Sequence, residues 1–338
     1  MARNNQLPKH LLVLRTSAMG DVAMLPHALR ALCAAYPDLK VTVATQPLFK
    51  PFFRGLNVDF MEVKLKAEHH SVVGMWRLAR EARKLGVDAV ADVHDVSRSR
   101  AFSLSMRLHG IRVATIRKGR LAKKQAIGSG GDFDPLTHSV VRYCDTFRRL
   151  GFRFENPAAA TKPAWENPMG EKKGLWIGFA PFSAHAGKSY PDAQSRALVG
   201  LLAARYDRVF VHSGGGAEQQ FAEEMEATYP NVTALFGKVR FAGEMEVMAA
   251  EDCIVSMDSM AMHMASLTAT PVVSVWGATH PNMGFLGWGV EEKYILQADM
   301  ECRPCSVFGA KPCRYGDYPC MKAITPEMVV AKIEEVVR

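Results

Sequence analysis

The chain has 338 residues, of which 48% are hydrophobic, and this exceeds what one hydrophobic core usually organises, so we expect two domains. Arg15 interrupts the first apolar run and no other run is long enough for a secretory or membrane-spanning segment, which predicts a soluble, cytoplasmic protein. Seven cysteines favour a reducing compartment over a disulfide scaffold, and a net charge of +8 indicates an anionic partner.

The first informative segment is LLVLRTSAMGDVAMLPHALRAL, which begins at Leu11 and ends at Leu32. Its opening residues, Leu11–Leu14, form a short apolar run that is typical of a strand buried on both faces. From Val22 onward the apolar spacing is helical, so the helix begins near Gly20 and Asp21 lies at its N-terminus. On these residues alone Asp21 is either a helix cap, which is favoured, or a carboxylate at a ligand-binding edge.

The rest of the first half alternates apolar strands with helical patterns, which is the rhythm of a parallel α/β domain. A helix over about 137–150 ends it, and the segment 156–174, rich in proline and without periodicity, is predicted to be a linker. A second α/β set follows and ends in a helix over 326–337. The predicted strands after the first begin at Val41, Phe60, Asp88 and Val113, and then at Leu175, Arg208, Val232, Asp252 and Pro271.

The positive charge is densest between Arg98 and Lys124. Because this stretch has one aromatic residue, Phe102, and lacks nucleic-acid-binding motifs, a nucleic-acid partner is disfavoured. A solvated face and a surface for phosphorylated lipid or acidic sugar both remain open. The basic residues are Arg98, Arg100, Arg107, Arg112, Arg117, Lys118, Arg120, Lys123 and Lys124.

Polar residues follow the strands of the second half, where a parallel sheet binds its ligands. Ser183 and Lys188, after the first of these strands, have the chemistry to bind a diphosphate. After the second strand, the glycine turn 213–216 leads into a helix that carries Glu218. Asp258 ends the fourth strand and His263 follows in the next helix, where a buried core histidine is the simpler interpretation.

Taken together, LLVLRTSAMGDVAMLPHALRAL and MDSMAMHMASLTATPVVSVWGATHP resemble glycosyltransferase family 9, the ADP-heptose:lipopolysaccharide heptosyltransferases. The resemblance runs from Leu11 to the final helix. It implies GT-B architecture, in which two Rossmann-like doubly wound domains face one another across a cleft. The expected boundaries are 1–160 for an acceptor-binding domain and 171–325 for a nucleotide-sugar-binding domain, with the helix 326–337 packing back on the first domain.

The resemblance also implies an inverting transfer of heptose from ADP-heptose to the acidic inner core of a lipopolysaccharide precursor. Asp21 then matches the general base, which reverses the preference for a helix cap. Lys188 matches the cation that neutralises the leaving nucleoside diphosphate, so the resemblance implies that no cofactor or metal is required. The implied donor-binding residues are Ser183, Glu218, Asp258, Ser259, Met260, Ala261 and His263. The implied acceptor-binding residues are Arg15, Ser17, Arg117 and Lys118, of which Arg15 and Ser17 are equally suited to a structural role in the turn.

Because the family's acceptors are acidic lipids, we also expect the stretch from Arg98 to Lys124 to make transient contact with the inner-membrane surface. The C-x-x-C that starts at Cys302 has a spacing that permits a structural zinc site, with free buried thiols as the alternative. The four cysteines concerned are Cys302, Cys305, Cys313 and Cys320.

Three other functions remain to be weighed. A nucleotide-dependent oxidoreductase is disfavoured because the first turn lacks G-x-G-x-x-G and no acidic residue ends the strand VTVATQ. A GT-B sugar-nucleotide epimerase and a non-catalytic protein that binds an anionic glycolipid are the alternatives to transfer.

Overall fold

The computed structural model describes residues 6–338, which divide into two compact units. The first unit contains residues 6–118 and 139–158, and the second contains residues 119–138 and 159–338. The segment 119–138 therefore belongs to the second unit, although the sequence analysis assigned it to the first domain.

The first unit alternates strands and helices along the chain. Its elements are β1 (His10–Leu14), α1 (Met19–Ala35), β2 (Lys40–Thr45), a 3-10 helix (Pro47–Phe53), β3 (Asp59–Glu62), α2 (Val72–Lys84), β4 (Ala89–Asp92), α3 (Ser97–Leu108) and β5 (Arg112–Thr115). After α4 (Arg120–Gln125), which lies in the second unit, the chain returns to the first unit as α5 (Ser139–Arg148). The strands predicted from periodicity are all present.

The sheet of the first unit has the order β3-β2-β1-β4-β5, and every pairing is parallel. β1 is buried along its whole length, as its continuous apolar run predicted. α2 and α3 pack side by side over one core, which contains Leu12, Leu14 and Phe102, while α1 packs against α5. The strand order is that of a Rossmann-like half, in which the chain reverses direction across the sheet between β1 and β4.

The second unit repeats this pattern with one more strand. Its elements after α4 are β6 (Trp176–Ala180), a 3-10 turn (Ala186–Lys188), α6 (Asp192–Ala203), β7 (Arg208–Val211), α7 (Ala217–Thr228), β8 (Val232–Ala234), α8 (Phe241–Ala250), β9 (Cys253–Met257), α9 (Met260–Thr268), β10 (Val272–Trp276), two 3-10 turns (Pro281–Met283 and Glu292–Tyr294), β11 (Ile295–Gln297), α10 (Pro319–Lys322) and α11 (Pro326–Val337). The sheet order is β11-β10-β9-β6-β7-β8, again wholly parallel, with the reversal between β6 and β9.

The last helix has the predicted bounds but not the predicted packing. α11 packs on α6 and β9, and its apolar side chains Val329, Val330 and Ile333 are part of the second unit's core. The Thr325 hydroxyl caps it by accepting a hydrogen bond from the Met328 amide at 3.3 Å. The expectation that this helix returns to the first domain is wrong, because its apolar stripe closes the core of the unit that precedes it.

Residues 156–174, the predicted linker, contain neither helix nor strand, and the boundary between the two units falls within them at 158/159. The three-residue strand β11 has no counterpart in the sequence analysis, because so short a run carries no measurable period. Within residues 6–338, no helix combines the length and the apolar character that crossing a membrane requires.

Candidate functional site

The first unit places its polar residues at the reversal point of its sheet. The carboxyl ends of β1 and β4 lie side by side there, and this is where open α/β sheets bind ligands. Asp21 lies in the first turn of α1, which follows β1, and His94 lies directly after β4. The predicted position of Asp21 is therefore confirmed.

Asp21 is held by a buried cation. The guanidinium of Arg15 is ion-paired with Oδ2 of Asp21, and its Nη1 donates to the carbonyl of Val93 at 2.5 Å. Burial by itself lowers the pKa of Arg15, but Asp21 together with Tyr143 and Asp92 outweighs it and the net shift is upward. The Tyr143 hydroxyl donates to the backbone carbonyl of Asp21 at 3.0 Å. These contacts fix Asp21 on a rigid turn.

The Asp21 carboxylate does not act as a helix cap. The N-cap residue of α1 is Ala18, and no side chain caps this helix. Within residues 6–338 the second carboxylate oxygen of Asp21 has no hydrogen-bond partner, and 29% of the side chain is exposed. Arg15, by contrast, is almost fully buried and contacts Asp21 and the carbonyl of Val93, and its role in binding an acceptor stays a prediction.

His94 completes this cluster and was not singled out from the sequence. Its Nδ1 lies 2.9 Å from the Thr16 hydroxyl, and its Nε2 lies 3.2 Å from the Ser17 hydroxyl. Burial, followed by the charges of Arg15 and Lys118, lowers the pKa of His94 to about 3, so the ring is neutral at physiological pH. The sequence signal that could have identified His94 is its position just after β4, because β4 pairs with β1 and the two strands end at the same edge of the sheet.

The basic stretch is divided by the fold. Arg117 is exposed and Lys118 is partly buried in the first unit, but the residues from Arg120 onward belong to the second unit. Lys123 is buried, with its Nζ 4.1 Å from the centre of the Phe285 ring. The basic stretch from Arg98 to Lys124 is therefore shared between the two units, and its contact with a membrane stays a prediction.

The second unit has its own ion pair at the point where its strand order reverses. Lys188 follows β6 and Asp258 follows β9, and these strands are neighbours. The Lys188 Nζ lies 3.2 Å from Oδ2 of Asp258, and the Thr279 hydroxyl donates to the same oxygen at 2.8 Å. The ammonium side chain is 14% exposed and the carboxylate side chain 8%. Lys188 is thus presented at the edge of the sheet by a buried carboxylate.

The loop that carries Lys188 is closely packed. The Ser183 hydroxyl donates to the Asp258 carbonyl at 3.4 Å, and the Ser183 amide donates to the Ser189 hydroxyl at 3.0 Å. Gly309 has a φ of +78°, and a Cβ there would lie 2.6 Å from Cγ of Lys188. Only glycine therefore fits beside the lysine stem.

A buried arginine supports the same loop from behind. Arg303 is 2% exposed, and its guanidinium donates to the carbonyls of Gly277 at 2.5 Å and Thr279 at 3.0 Å. It also donates to the Ala298 carbonyl and, at 3.0 Å, to the side chain of Gln297. Arg303 thereby fixes Thr279, the residue that holds Asp258. No sequence motif pointed to it, since its partners come from several parts of the chain.

The other predicted donor-binding residues lie on the same edge of the second sheet. Ser259 is the N-cap of α9, and Met260 and Ala261 form its first turn, so their amides are available to an anion. His263 lies in the next turn and is buried. The Glu218 carboxylate accepts a hydrogen bond from the Gly214 amide at 2.7 Å and so closes the glycine turn.

A buried charged triad precedes that turn. His212 lies 3.0 Å from Oε1 of Glu244 through Nδ1 and 2.8 Å from Oε1 of Glu251 through Nε2. Burial lowers the pKa of His212, but the two carboxylates outweigh it and raise the pKa to about 10. His212 is thus an imidazolium at neutral pH, and Oε2 of Glu251 has no hydrogen-bond partner in the described part of the chain.

The four cysteines of the predicted zinc site line one small recess. Burial, followed by Cys302, raises the pKa of the Cys305 thiol to about 11. In the described residues no group of three or more histidine, cysteine, aspartate or glutamate side chains is arranged to hold a metal ion. These thiols form no disulfide in the described part of the chain, and the zinc site stays a prediction. The recess is lined in part by Cys302, Cys305, Cys313 and Cys320.

Comparison with known proteins extends these findings. The chain is 30% identical to lipopolysaccharide heptosyltransferase 1 of Pseudomonas aeruginosa over 128 residues, which are 38% of this chain and 34% of that protein. It is 23% identical to lipopolysaccharide heptosyltransferase 1 of Escherichia coli K12 over 86% of this chain and 94% of that protein. The alignment with the first of these relatives thus spans about a third of that relative's length, whereas the alignment with the second spans nearly all of it.

A solved structure shows the same fold. The structure of E. coli heptosyltransferase WaaC with ADP-2-deoxy-2-fluoro heptose matches with a TM-score of 0.69 and 19% identity, covering 96% of this chain and 99% of that chain. The predicted fold class, α/β with two Rossmann-like units of the GT-B class, is confirmed. The family profile described as glycosyltransferase family 9 (heptosyltransferase) matches residues 75–315, which is more than half of the chain. The chain is therefore an enzyme that belongs to glycosyltransferase family 9.

Proposed function

We propose that this enzyme transfers heptose from ADP-heptose to the acidic inner core of a lipopolysaccharide precursor, with inversion at the anomeric carbon. The names of its relatives support the sugar and the acceptor class, and the WaaC structure supports an ADP-linked donor. The observation that carries the proposal is the partly exposed Asp21 carboxylate, which a buried arginine holds at the reversal point of the first sheet.

In the proposed reaction an acceptor hydroxyl attacks the anomeric carbon of the donor. Its proton passes to Asp21, a new glycosidic bond forms, and the bond between the anomeric carbon and the diphosphate oxygen breaks, so ADP leaves. A well-placed general base contributes on the order of 10²–10⁴ in rate. The ion pair with Arg15 supports this role because it fixes the orientation of the carboxylate before the acceptor binds.

The donor binds the second unit in this proposal. The diphosphate takes the Lys188 ammonium as its counter-ion and the free amides of Ser259–Ala261 as hydrogen-bond donors. Ser183 is a phosphate ligand, Glu218 a ribose ligand and Asp258 a sugar contact. Lys188 neutralises the charge that develops on the departing ADP, and the proposal routes no step through a metal or cofactor.

The acceptor binds the first unit in this proposal. Lys118 contributes to the positive field around His94, and Arg117 is exposed on the adjoining segment. These cations suit an acidic sugar or a phosphate. Ser17, whose hydroxyl lies 3.2 Å from Nε2 of His94, is a further acceptor contact in this proposal. We place the enzyme in the cytoplasm, where nucleotide sugars are made, with peripheral contact to the inner membrane.

A donor panel with a single acceptor tests the proposal. Purified enzyme is incubated with a lipopolysaccharide precursor that lacks heptose and with ADP-heptose, UDP-glucose or GDP-mannose, and transfer is followed by mass spectrometry. We expect a product from ADP-heptose alone, with its anomeric configuration inverted by NMR. A product from another donor would overturn the heptose assignment, and retention of configuration would overturn the role of Asp21 as base. Binding of ADP-heptose without transfer to any inner-core acceptor would overturn the acceptor class.

A further inference from the structure

The outer surface of two neighbouring helices in the first unit is both basic and apolar. α2 and α3 pack over the core as a layer, and Arg83 at the end of α2 donates to the Ser105 hydroxyl of α3 at 3.5 Å, so the helices lie side by side in the same direction. We define the α2/α3 surface by the exposed residues Val72, Val73, Trp76, Arg77, Arg80, Lys84, Leu104, Arg107 and Leu108.

The charge on these helices is concentrated and one-sided. Together they carry seven basic side chains and one acidic side chain, Glu81, in a chain whose net charge is +8. Within residues 6–338, no carboxylate forms an ion pair with Arg77, Arg80 or Lys84. The α2/α3 surface itself presents four of these cations, Arg77, Arg80, Lys84 and Arg107, whereas Arg100 is ion-paired with Asp95 and two further arginines are partly buried.

Large apolar side chains stand among these cations. Trp76 is 52% exposed, Val73 67% and Leu108 75%, and Val72 and Leu104 are also more than half exposed. One exposed apolar side chain is ordinary, but five on two adjacent helices are not explained by packing within the chain. A helical surface that mixes tryptophan and aliphatic side chains with arginine and lysine is suited to the boundary between lipid headgroups and acyl chains.

We propose that the α2/α3 surface docks on a bilayer that contains anionic lipids. The cations contact the headgroups, while Trp76, Val73 and Leu108 enter the interface. A second copy of this chain is disfavoured as the occupant, because a symmetric contact would oppose like charges with almost no carboxylates between them. RNA is disfavoured because a single exposed aromatic ring offers no stacking platform. This surface takes the place of the basic stretch on which the sequence analysis expected membrane contact.

The location of the surface fits a lipid-linked substrate. α2 follows β3 and α3 follows β4, so both helices begin at the carboxyl edge of the sheet, the edge that carries Asp21. Val72, Val73 and Trp76 lie in the first turns of α2 and are therefore at this end of the helical layer. Docking itself depends only on charge and exposure, so it does not require that the proposed transfer reaction is correct.

Tryptophan fluorescence of the full chain reports the docking directly. Trp76 is exposed, Trp176 and Trp276 are fully buried, and Trp165 and Trp288 are partly buried, so comparison with Trp76→Phe identifies the contribution of Trp76 to any change in emission. We expect a blue shift with phosphatidylglycerol vesicles at low salt, a much smaller one with phosphatidylcholine vesicles, and loss of the shift in Trp76→Phe. Quenching by brominated lipids establishes that the ring enters the interface.

Paired charge-reversal variants test the electrostatic part. Arg77→Glu with Arg80→Glu lowers the affinity for phosphatidylglycerol vesicles by about tenfold or more, whereas the matched control, Arg205→Glu with Arg240→Glu on exposed positions of the second unit, changes it by about twofold at most. All four positions are exposed, so circular dichroism is expected to show intact folding for both variants.

Three outcomes would overturn the proposal: no vesicle binding by the wild type, equal binding by the two double variants, or a dimer in sedimentation that Arg77→Glu with Arg80→Glu dissolves. The binding assay contains neither donor nor acceptor, so it stands apart from the test of transfer. If the proposed function fails while the surface is correct, vesicle binding persists; in the opposite case, transfer to a delipidated acceptor persists without vesicle binding.

Discussion

The two units share one strand order but present opposite charges at the same topological position. In the first unit the cation of the ion pair is buried and the carboxylate is presented, with side-chain exposures of 5% for Arg15 and 29% for Asp21. In the second unit the carboxylate is the more buried partner, with 8% for Asp258 and 14% for Lys188. The fold therefore places an ion pair at the same topological position in both units, and the more exposed partner is a carboxylate in the first and an ammonium in the second.

The histidines of the two units differ in the same way. His94 lies between two hydroxyl groups and beside cations, and it is neutral because burial and those charges lower its pKa to about 3. His212 lies between two carboxylates, which raise its pKa to about 10. Both rings are buried, so the difference arises from their neighbours rather than from solvent exposure.

The largest effect is expected from the presented carboxylate. Asp21→Asn keeps the shape of the side chain but removes the base, so kcat falls by about 10²–10⁴ while the Kd for ADP-heptose changes by about twofold at most. Transfer assays and calorimetry measure the two quantities. The control, Asp59→Asn, alters another ion-paired carboxylate of the first unit, and activity is expected to persist. A loss of donor affinity equal to the loss of kcat would contradict the division of roles between the units.

The presented ammonium is expected to act on the donor. Lys188→Gln lowers kcat by about 10²–10³ and weakens donor binding, because the charge of the leaving diphosphate is no longer neutralised. Lys238→Gln, at another ion-paired lysine of the second unit, is the control. Steady-state kinetics with varied donor distinguish the two effects, and unchanged kcat in Lys188→Gln would show that the ion pair with Asp258 is structural.

The buried imidazolium of the second unit is expected to affect stability. His212→Gln leaves two carboxylates without their cation, so the free energy of unfolding falls by about 3–5 kcal/mol at neutral pH. Urea unfolding followed by tryptophan emission, to which the buried Trp176 and Trp276 contribute, measures this change, and His70→Gln, at an exposed histidine, is the control.

The pH dependence of that stabilisation has a definite sign. The folded pKa of His212, about 10, lies above the unfolded value of 6.5, so the folded state binds the extra proton. The contribution is present in full below pH 6.5 and is lost as the pH rises through about 10. Wild-type protein should therefore lose more stability over this window than His212→Gln does, and parallel curves would show that the ring is neutral.

The smallest effect is expected behind the second ion pair. Thr279→Val removes the hydroxyl that donates to Asp258, so the carboxylate attracts Lys188 more strongly and competes with the diphosphate. We expect the Kd for ADP-heptose to rise by about threefold to tenfold. Thr233→Val in β8 is the control, and calorimetric titration is the measurement. A lower Kd for ADP-heptose in Thr279→Val would show that the Thr279 hydroxyl weakens donor binding rather than strengthening it.

Much of the fold could be predicted because its strands are short apolar runs buried by helices. β1 and α1 lie where periodicity predicted them, and Asp21 lies in the first turn of the helix, as expected. The packing of α11 could not be predicted from its sequence. An amphipathic pattern indicates that one face of a helix is buried, but it does not indicate which core buries that face. Local patterns report burial and period, and they do not report partners.

The sequence by itself determined the presence of two α/β units, the positions of every strand except β11, the placement of Asp21, Lys188 and Asp258 after strands, and the family. Only the tertiary structure decided which groups meet them: Arg15 with Val93 across 78 positions, Asp258 with Thr279, and Arg303 behind both. The physical reason is that strand order, not chain order, brings side chains together at the edge of a parallel sheet. The same reason explains why basic side chains are displayed together on α2 and α3, although the densest run of basic residues in the sequence is divided between two units.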